Sequence, residues 1–287
     1  MVLSGALSLA LPTKLGQRMN VKKTDRPTLR WNAKVRGEDW FSAQFSLPDL
    51  VIQSSNIEKV GERLLKIILI TKELAPDFLS DGAGYEVETN LEFDAQWGLG
   101  SSSSLLSNIA YWADCNPYRL NKKVFKGSGY DIACARSDAP ILYHFNTKGK
   151  AQVEVIDFNP SFADQLYLVW LKQKQNTFEE ITRYAKGESH SKEIEVVNAI
   201  TIRMQKCNDL TEFKTLMEDH ENLISHLIKM AKVKETLFPD FDGAIKSLGA
   251  WGGDFVLAAS SQSFDEVEKY FKQKGYNTVF RYRDLIK

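Results

Sequence analysis

The sequence has little of what disulfide-bonded, metal-binding or membrane proteins depend on. Only three of its 287 residues are cysteine (Cys115, Cys134 and Cys207), and they lack the spacing of a metal site. We therefore interpret them as reduced thiols. No apolar run reaches the length of a membrane span. The apolar start MVLSGALSLALP lacks the basic residues and the cleavage site of a signal peptide. These absences predict a cytoplasmic protein with no membrane partner.

The chain also has no excess of either charge. Its 37 lysines and arginines equal its 37 aspartates and glutamates, which argues against a nucleic-acid partner. The four histidines have no mutual spacing that suits a metal ion. No internal repeat is visible, and the length fits one large domain or two modest ones.

Hydrophobic periodicity predicts a mixed α+β protein with two lobes that meet near residue 160. The predicted strands are 85–93, 139–145, 151–158, 165–171, 254–260 and 277–283. The predicted helices are 57–74, a helix that includes Leu105 to Trp112, most of 178–231, and 264–275.

The stretch QWGLGSSSSLLSNIAYWA (96–113) places four serines between two glycines and an apolar helix. A glycine turn that leads into a helix collects unpaired backbone amides at the positive end of the helix dipole, where a phosphate can bind. A Walker A loop is excluded because its lysine is missing. Since one helix start needs only one capping serine, the segment is either a phosphate site or a Gly-Ser turn that caps a core helix.

Two further segments combine glycines with residues that could carry chemistry. KSLGAWGGDFVLAAS (246–260) has Gly249, Gly252 and Gly253 before an apolar strand, either as a tight turn or as a loop that closes over a ligand. KGSGYDIACA (126–135) places Asp131 after a glycine turn, where it would be half buried. That aspartate is either a structural cap or a catalytic group.

Taken in chain order, the three segments resemble the GHMP kinases, the superfamily of galactokinase, homoserine kinase, mevalonate kinase and phosphomevalonate kinase. GLGSSSS resembles the phosphate loop, GSGYDIA the segment of the catalytic aspartate in the mevalonate and phosphomevalonate branches, and KSLGAWGGDF the glycine-rich third motif. GYDIA itself suggests a bacterial subgroup. The resemblance implies a two-lobed α+β fold, with a ribosomal protein S5 domain 2-like lobe (1–160) and a ferredoxin-like lobe (161–287).

The resemblance also implies an ATP- and Mg²⁺-dependent kinase that acts on a small molecule such as mevalonate or phosphomevalonate, and it is compatible with a homodimer. Asp131 would be the catalytic base, and the Ser102 hydroxyl would lie on the Mg²⁺ side. The residues that would wrap the triphosphate are Gly98, Leu99, Gly100, Ser101, Ser102, Ser103 and Ser104. The residues that would form the wall beside phosphate and substrate are Gly249, Ala250, Gly252 and Gly253. Trp97 and Trp251 could border the nucleotide.

Three departures separate this sequence from the pattern it resembles. The opening strand that ends in Gly-Glu-Tyr or Gly-Glu-His is missing, so we expect the natural reading frame to begin upstream. Leu120 stands at the offset of the metal-binding glutamate of mevalonate kinases, whereas phosphomevalonate kinases tend to lack that glutamate too. Trp251 and Asp254 replace glycines of the third motif. A carboxylate near phosphates is unfavourable unless it turns away or meets a cation.

Overall fold

The computed structural model describes residues 1–146, 149–173, 190–249, 251 and 253–287. By its internal contacts the chain forms two compact units. The first, which we call the carboxy-terminal unit, comprises Met1–Lys14, Gln96–Gly98 and Ser137–Lys287, and the second, the amino-terminal unit, comprises Leu15–Ala95 and Leu99–Arg136. Both units are discontinuous in sequence, unlike the predicted lobes 1–160 and 161–287. The lobe boundary near residue 160 stays a prediction.

The amino-terminal unit is built on a five-stranded sheet. Its strands are β2 (Gln17–Thr24), β3 (Thr28–Val35), β4 (Glu38–Ser46), β5 (Ile52–Ser55) and β6 (Gly84–Leu91), numbered in chain order. They lie in the order β2-β6-β3-β4-β5, with β3 and β6 parallel and the other pairs antiparallel. The predicted strand 85–93 is therefore β6, and the alternation of buried Val87, Thr89 and Leu91 with more exposed neighbours confirms its two-faced pattern.

Four helices belong to this unit, and their apolar residues join the buried face of the sheet in one core. The helices are α1 (Glu58–Leu74), α2 (Ser101–Trp112), α3 (Pro117–Val124) and α4 (Tyr130–Ala135). Leu106 and Ile109 of α2 and Ile132 of α4 are fully buried in the same cluster as Phe45 of β4. Each such side chain contributes about 1.5–3 kcal/mol when it leaves water. The core therefore holds α2 and α4, which carry two of the three predicted motifs.

The carboxy-terminal unit contains an antiparallel sheet in the strand order β10-β11-β9-β12. Its strands are β9 (Leu166–Trp170), β10 (Ala244–Ser247), β11 (Phe255–Ala259) and β12 (Val279–Arg281). Its helices are α5 (Ser191–Lys206), α6 (Leu210–Ile228), α7 (Val233–Leu237), α8 (Phe264–Gln273) and α9 (Tyr282–Leu285). The succession β9, helices, β10, β11, α8, β12 is the βαββαβ order of a ferredoxin-like fold, which confirms that prediction.

A second, three-stranded sheet in the same unit has the order β1-β7-β8. Its strands are β1 (Ser8–Ala10), β7 (Ile141–Phe145) and β8 (Ala151–Val155). The predicted strands 139–145 and 151–158 are confirmed as β7 and β8. Among the described residues, none of the helices combines the length and the apolar character that a membrane span requires.

The structure differs from the prediction elsewhere in the chain. The predicted strand 277–283 ends at Arg281, because Tyr282 and Leu285 bury their side chains at helical spacing and form α9. No strand was predicted between residues 17 and 55, where the structure has four. The helical prediction for 178–231 is confirmed in α5 and α6, but its first part lies outside the described residues.

Candidate functional site

The Gly-Ser segment makes its turn with two left-handed glycines. Gly98 has φ 66° and Gly100 has φ 83°, and α2 begins at Ser101 without a side-chain cap. The first helical hydrogen bond runs from the Ser104 N–H to the Gly100 carbonyl at 2.9 Å. The backbone amides of the three preceding serines therefore have no partner inside the helix. They collect at the positive end of the helix dipole, which is suited to bind an anion.

The four serines of this segment do not share one role. The Ser104 hydroxyl lies 2.8 Å from Gln17 Oε1 and 3.0 Å from the Ser101 carbonyl, and its single proton serves one of them at a time. Asn108 Nδ2 also donates to the Gln17 carbonyl at 2.8 Å, so β2 anchors the start of α2. Ser102 is exposed. Ser104 is thus used structurally, and Ser102 is the serine most open to a ligand.

Gln17 is a positioning residue that sequence reasoning missed. Nothing in the motif GLGSSSS points to a glutamine more than eighty residues earlier, and only the pairing of β2 with the start of α2 identifies it.

Asp131 lies in the first turn of α4, which begins after Gly129 at φ 84°. The helix packs directly against α2, so the fold places the aspartate segment beside the helix that follows the Gly-Ser segment. The residue is exposed, whereas the sequence predicted half burial. Desolvation by the surrounding protein raises the pKa of its carboxyl to about 6, and a hydrogen bond from Tyr130 acts in the opposite direction. Because solvent still reaches the residue, screening limits this shift without reversing it.

The glycine-rich third segment joins β10 to β11. Gly249 has φ 61°, so a residue with a side chain would be strained there. Gly253 is buried, and Trp251 is also buried, with 8% of its surface exposed. Ala250 and Gly252, which were predicted to form the same wall, lie outside the described residues.

Asp254 connects the third segment to the first within the carboxy-terminal unit. A Cβ atom placed on Gly98 would lie 2.0 Å from the carboxyl carbon of Asp254, so only a glycine fits beneath this carboxylate. The Leu171 N–H donates to the Asp254 carbonyl at 2.9 Å and holds the backbone there. The carboxylate therefore does not turn away from the Gly-Ser segment. It contacts the first glycine of that segment.

Trp97 packs in an aromatic cluster of the same unit. Its ring centroid lies 5.2 Å from that of Phe280, 6.2 Å from Phe255 and 6.5 Å from Trp170. Edge-to-face contacts of this kind contribute about 0.5–1.5 kcal/mol beyond the buried area. Trp97 therefore packs against aromatic side chains of its own unit.

The described residues contain no group of three or more histidine, cysteine, aspartate or glutamate side chains that could hold a metal ion. Leu120, at the offset of the metal-binding glutamate, is fully buried. Within the amino-terminal unit, the groups that fit a phosphate are the backbone amides at the start of α2 and the exposed Ser102 hydroxyl.

Solved structures of small-molecule kinases share this fold over nearly the whole chain. Methanococcus jannaschii mevalonate kinase matches with a TM-score of 0.67 and 16% identity, covering 97% of this chain and 92% of its own. Streptococcus pneumoniae phosphomevalonate kinase matches with 0.66 and 15%, covering 96% and 92%. Lactococcus lactis galactokinase, solved with galactose, matches with 0.68 and 11%, covering 100% and 89%. The chain has the GHMP kinase fold.

The GHMP kinase fold is established by structure alone. No protein-family model matches the sequence, and a comparison with curated proteins gives no match. At 11–16% identity the likeness shows the fold, and the chemistry has to be inferred from the residues that the GHMP kinase fold brings together.

Proposed function

We propose that this protein is an ATP-dependent kinase that transfers a phosphoryl group to a hydroxyl or phosphate of a small metabolite, in the manner of mevalonate or phosphomevalonate kinase. One observation carries the proposal. The uncapped start of α2, shaped by two left-handed glycines, belongs to a helix that packs against the helix of Asp131. An anion site and a carboxylate with a raised pKa on adjoining helices are the two groups that phosphoryl transfer requires.

Bound ATP would supply the phosphoryl group, and Mg²⁺ would neutralise part of its charge. The amides of Ser101, Ser102 and Ser103 would bind phosphate oxygens, and the Ser102 hydroxyl would lie on the Mg²⁺ side. Asp131 would accept the proton of a hydroxyl acceptor, or of a phosphate acceptor that still carries one proton, and a pKa of about 6 is well placed for this near neutral pH. Gly249, Ala250, Gly252 and Gly253 would border phosphate and substrate, as the resemblance of their segment implies.

Two features of the sequence narrow the choice of acceptor molecule. Leu120 stands in place of a glutamate, and the sequence GSGYD resembles that of phosphomevalonate kinases. Both features favour phosphomevalonate over mevalonate as the acceptor. A sugar or homoserine kinase is a weaker candidate, because the aspartate segment resembles the isoprenoid branch. A cytoplasmic location, a homodimer and the absence of nucleic-acid partners remain predictions.

The proposal is tested by mixing purified protein with Mg-ATP and a panel of acceptors that includes mevalonate, phosphomevalonate, galactose and homoserine. We expect ADP release that depends on one acceptor, and a melting temperature that rises with Mg-ATP. A free ligand concentration of about 100 times the Kd stabilises the folded state by roughly 2.7 kcal/mol. Reactions without acceptor measure background hydrolysis. If no acceptor gives turnover and Mg-ATP gives no thermal shift, the proposal is wrong.

The raised pKa of Asp131 predicts a particular pH dependence. The base works only without its proton, so kcat/KM should rise with pH and level off above an apparent pKa of about 6. Stability should follow the opposite course. A carboxyl whose pKa is higher in the folded than in the unfolded state favours folding while protonated, and this contribution is lost as pH rises through about 6. Rate profiles and melting curves between pH 4.5 and 8, at about 0.5-unit steps, test both trends. A flat rate profile would contradict the assignment.

A second candidate, a catalytically impaired binding protein, is favoured by the Asp254 carboxylate against Gly98. A negative charge at the beginning of the Gly-Ser segment opposes phosphate unless a cation lies between them. Such a protein would bind a nucleotide or another partner without turnover, and substitution of Asp131 would leave its binding unchanged.

A further inference from the structure

A buried charged cluster lies at the end of β10, outside the residues used above. Glu221 of α6 is 1% exposed, and its Oε2 accepts a hydrogen bond from the Ser247 hydroxyl at 3.2 Å. Lys246 Nζ lies 3.7 Å from Glu221 Oε1 and donates to the Ser247 carbonyl at 3.2 Å. Two charged side chains, one from the helix and one from the strand, therefore meet on Ser247.

The cluster is costly to bury. Burial raises the pKa of Glu221 and lowers the pKa of Lys246, and the attraction between the two charges opposes both shifts. The neighbouring His220 has a buried Nδ1 without a hydrogen-bond partner among the described residues, and its pKa lies well below the usual value, so it is neutral. The other cations nearby are Lys232, which acts on Glu221, and the Met1 amine, which acts on His220. Since apolar residues often replace a buried ion pair without loss of stability, global stability alone does not explain this cluster.

The position of Ser247 suggests what the cluster does. Ser247 is the last residue of β10, and the glycine-rich segment follows it directly. The Leu248 N–H donates to the Phe255 carbonyl at 3.0 Å and closes the hairpin at the same point. The ends of β10 and β11 therefore fix where the glycine-rich segment leaves the sheet and where it returns.

We propose that Glu221 and Lys246 are positioning residues that fix the strand end at Ser247 and so orient the glycine-rich segment toward a phosphate-bearing ligand. The ligand part of this inference rests on the proposed kinase function. The fixing of the strand end does not, because it concerns only α6, β10 and β11.

The test compares Glu221→Gln with Glu218→Gln, a matched control on the same helix. Glu218 is an exposed partner of Lys234 at 3.5 Å. Amide hydrogen exchange of the peptide 246–256 reports the strand ends directly, and exchange of α8 reports the rest of the unit. Glu221→Gln removes the charge, which weakens the hydrogen bond from Ser247 and leaves the buried Lys246 without its partner. Exchange in 246–256 should therefore be faster by about 10- to 100-fold, with α8 and the Glu218→Gln protein unchanged. Unaltered exchange in 246–256 would overturn the proposal.

Two further measurements keep the inference separate from the kinase proposal. If wild-type protein binds Mg-ATP, Glu221→Gln should raise KM for ATP by about tenfold or more and change kcat less, whereas an unchanged KM would overturn the ligand part. If the wild type binds no nucleotide, the kinase proposal fails and the exchange experiment still decides the anchoring. Ser247→Ala keeps the charge pair and removes only the hydroxyl. The Ser247→Ala protein must also show faster exchange confined to 246–256. This variant still tests the proposal if the Glu221→Gln protein does not fold.

Discussion

Asp131→Asn is expected to lower kcat by about 10²- to 10⁴-fold, the range for loss of a general base, while ATP affinity stays close to that of the wild type. Asparagine keeps the size and hydrogen-bonding shape of the side chain but cannot take a proton. The variant should also lose the rise of rate with pH near about 6. Steady-state kinetics together with calorimetric titration of Mg-ATP measure both quantities.

The stability of this variant gives an independent reading of the same residue. Because the wild-type carboxyl is desolvated when charged, removing the charge should leave the melting temperature unchanged or higher above pH 6. Asp138→Asn is the matched control, since that aspartate is an exposed partner of Lys287 at 2.7 Å. Equal turnover in Asp131→Asn and Asp138→Asn proteins would reject the kinase and leave the binding protein as the better interpretation.

Gly98→Ala is expected to lower the free energy of unfolding of the carboxy-terminal unit by about 2–6 kcal/mol. A left-handed φ of 66° costs an alanine about 1–3 kcal/mol, and its Cβ would also overlap the carboxyl group of Asp254. Relief of that overlap requires a shift of side chain or backbone, at a cost of about 1–3 kcal/mol. Urea denaturation followed by tryptophan fluorescence measures the loss, because Trp97 adjoins the substituted residue.

Two companion proteins separate strain from overlap. Gly149→Ala lies in the same unit, has a nearly identical φ of 67° and has nothing within 4 Å of the new Cβ, so it should show the strain alone. The double variant Gly98→Ala/Asp254→Gly removes the carboxylate and should recover the overlap part, about 1–3 kcal/mol. If Gly98→Ala loses no more stability than Gly149→Ala, the contact between Gly98 and Asp254 is not tight.

The local elements were predictable where a pattern is complete within a short stretch. The alternation of YEVETNLEF predicts β6, and the helical spacing of residues 57–74 predicts α1, because each pattern follows from which side chains leave water in a strand or a helix. The strands from Gln17 to Ser55 were not predicted. Three of them carry charged and polar residues on an exposed face, which weakens their apolar signal.

The sequence by itself determined the three glycine segments, their order, and the left-handed turns at Gly98 and Gly249, since only glycine adopts such a φ without strain. Tertiary structure alone decided that Gln17 anchors the start of α2, that Asp254 lies against Gly98, and that Glu221 reaches Ser247. These pairs are separated by 26 to 156 residues, and no local preference encodes them. Each pair forms because the core of its own unit brings the two elements together. A buried polar side chain then bonds to a partner that the fold places beside it.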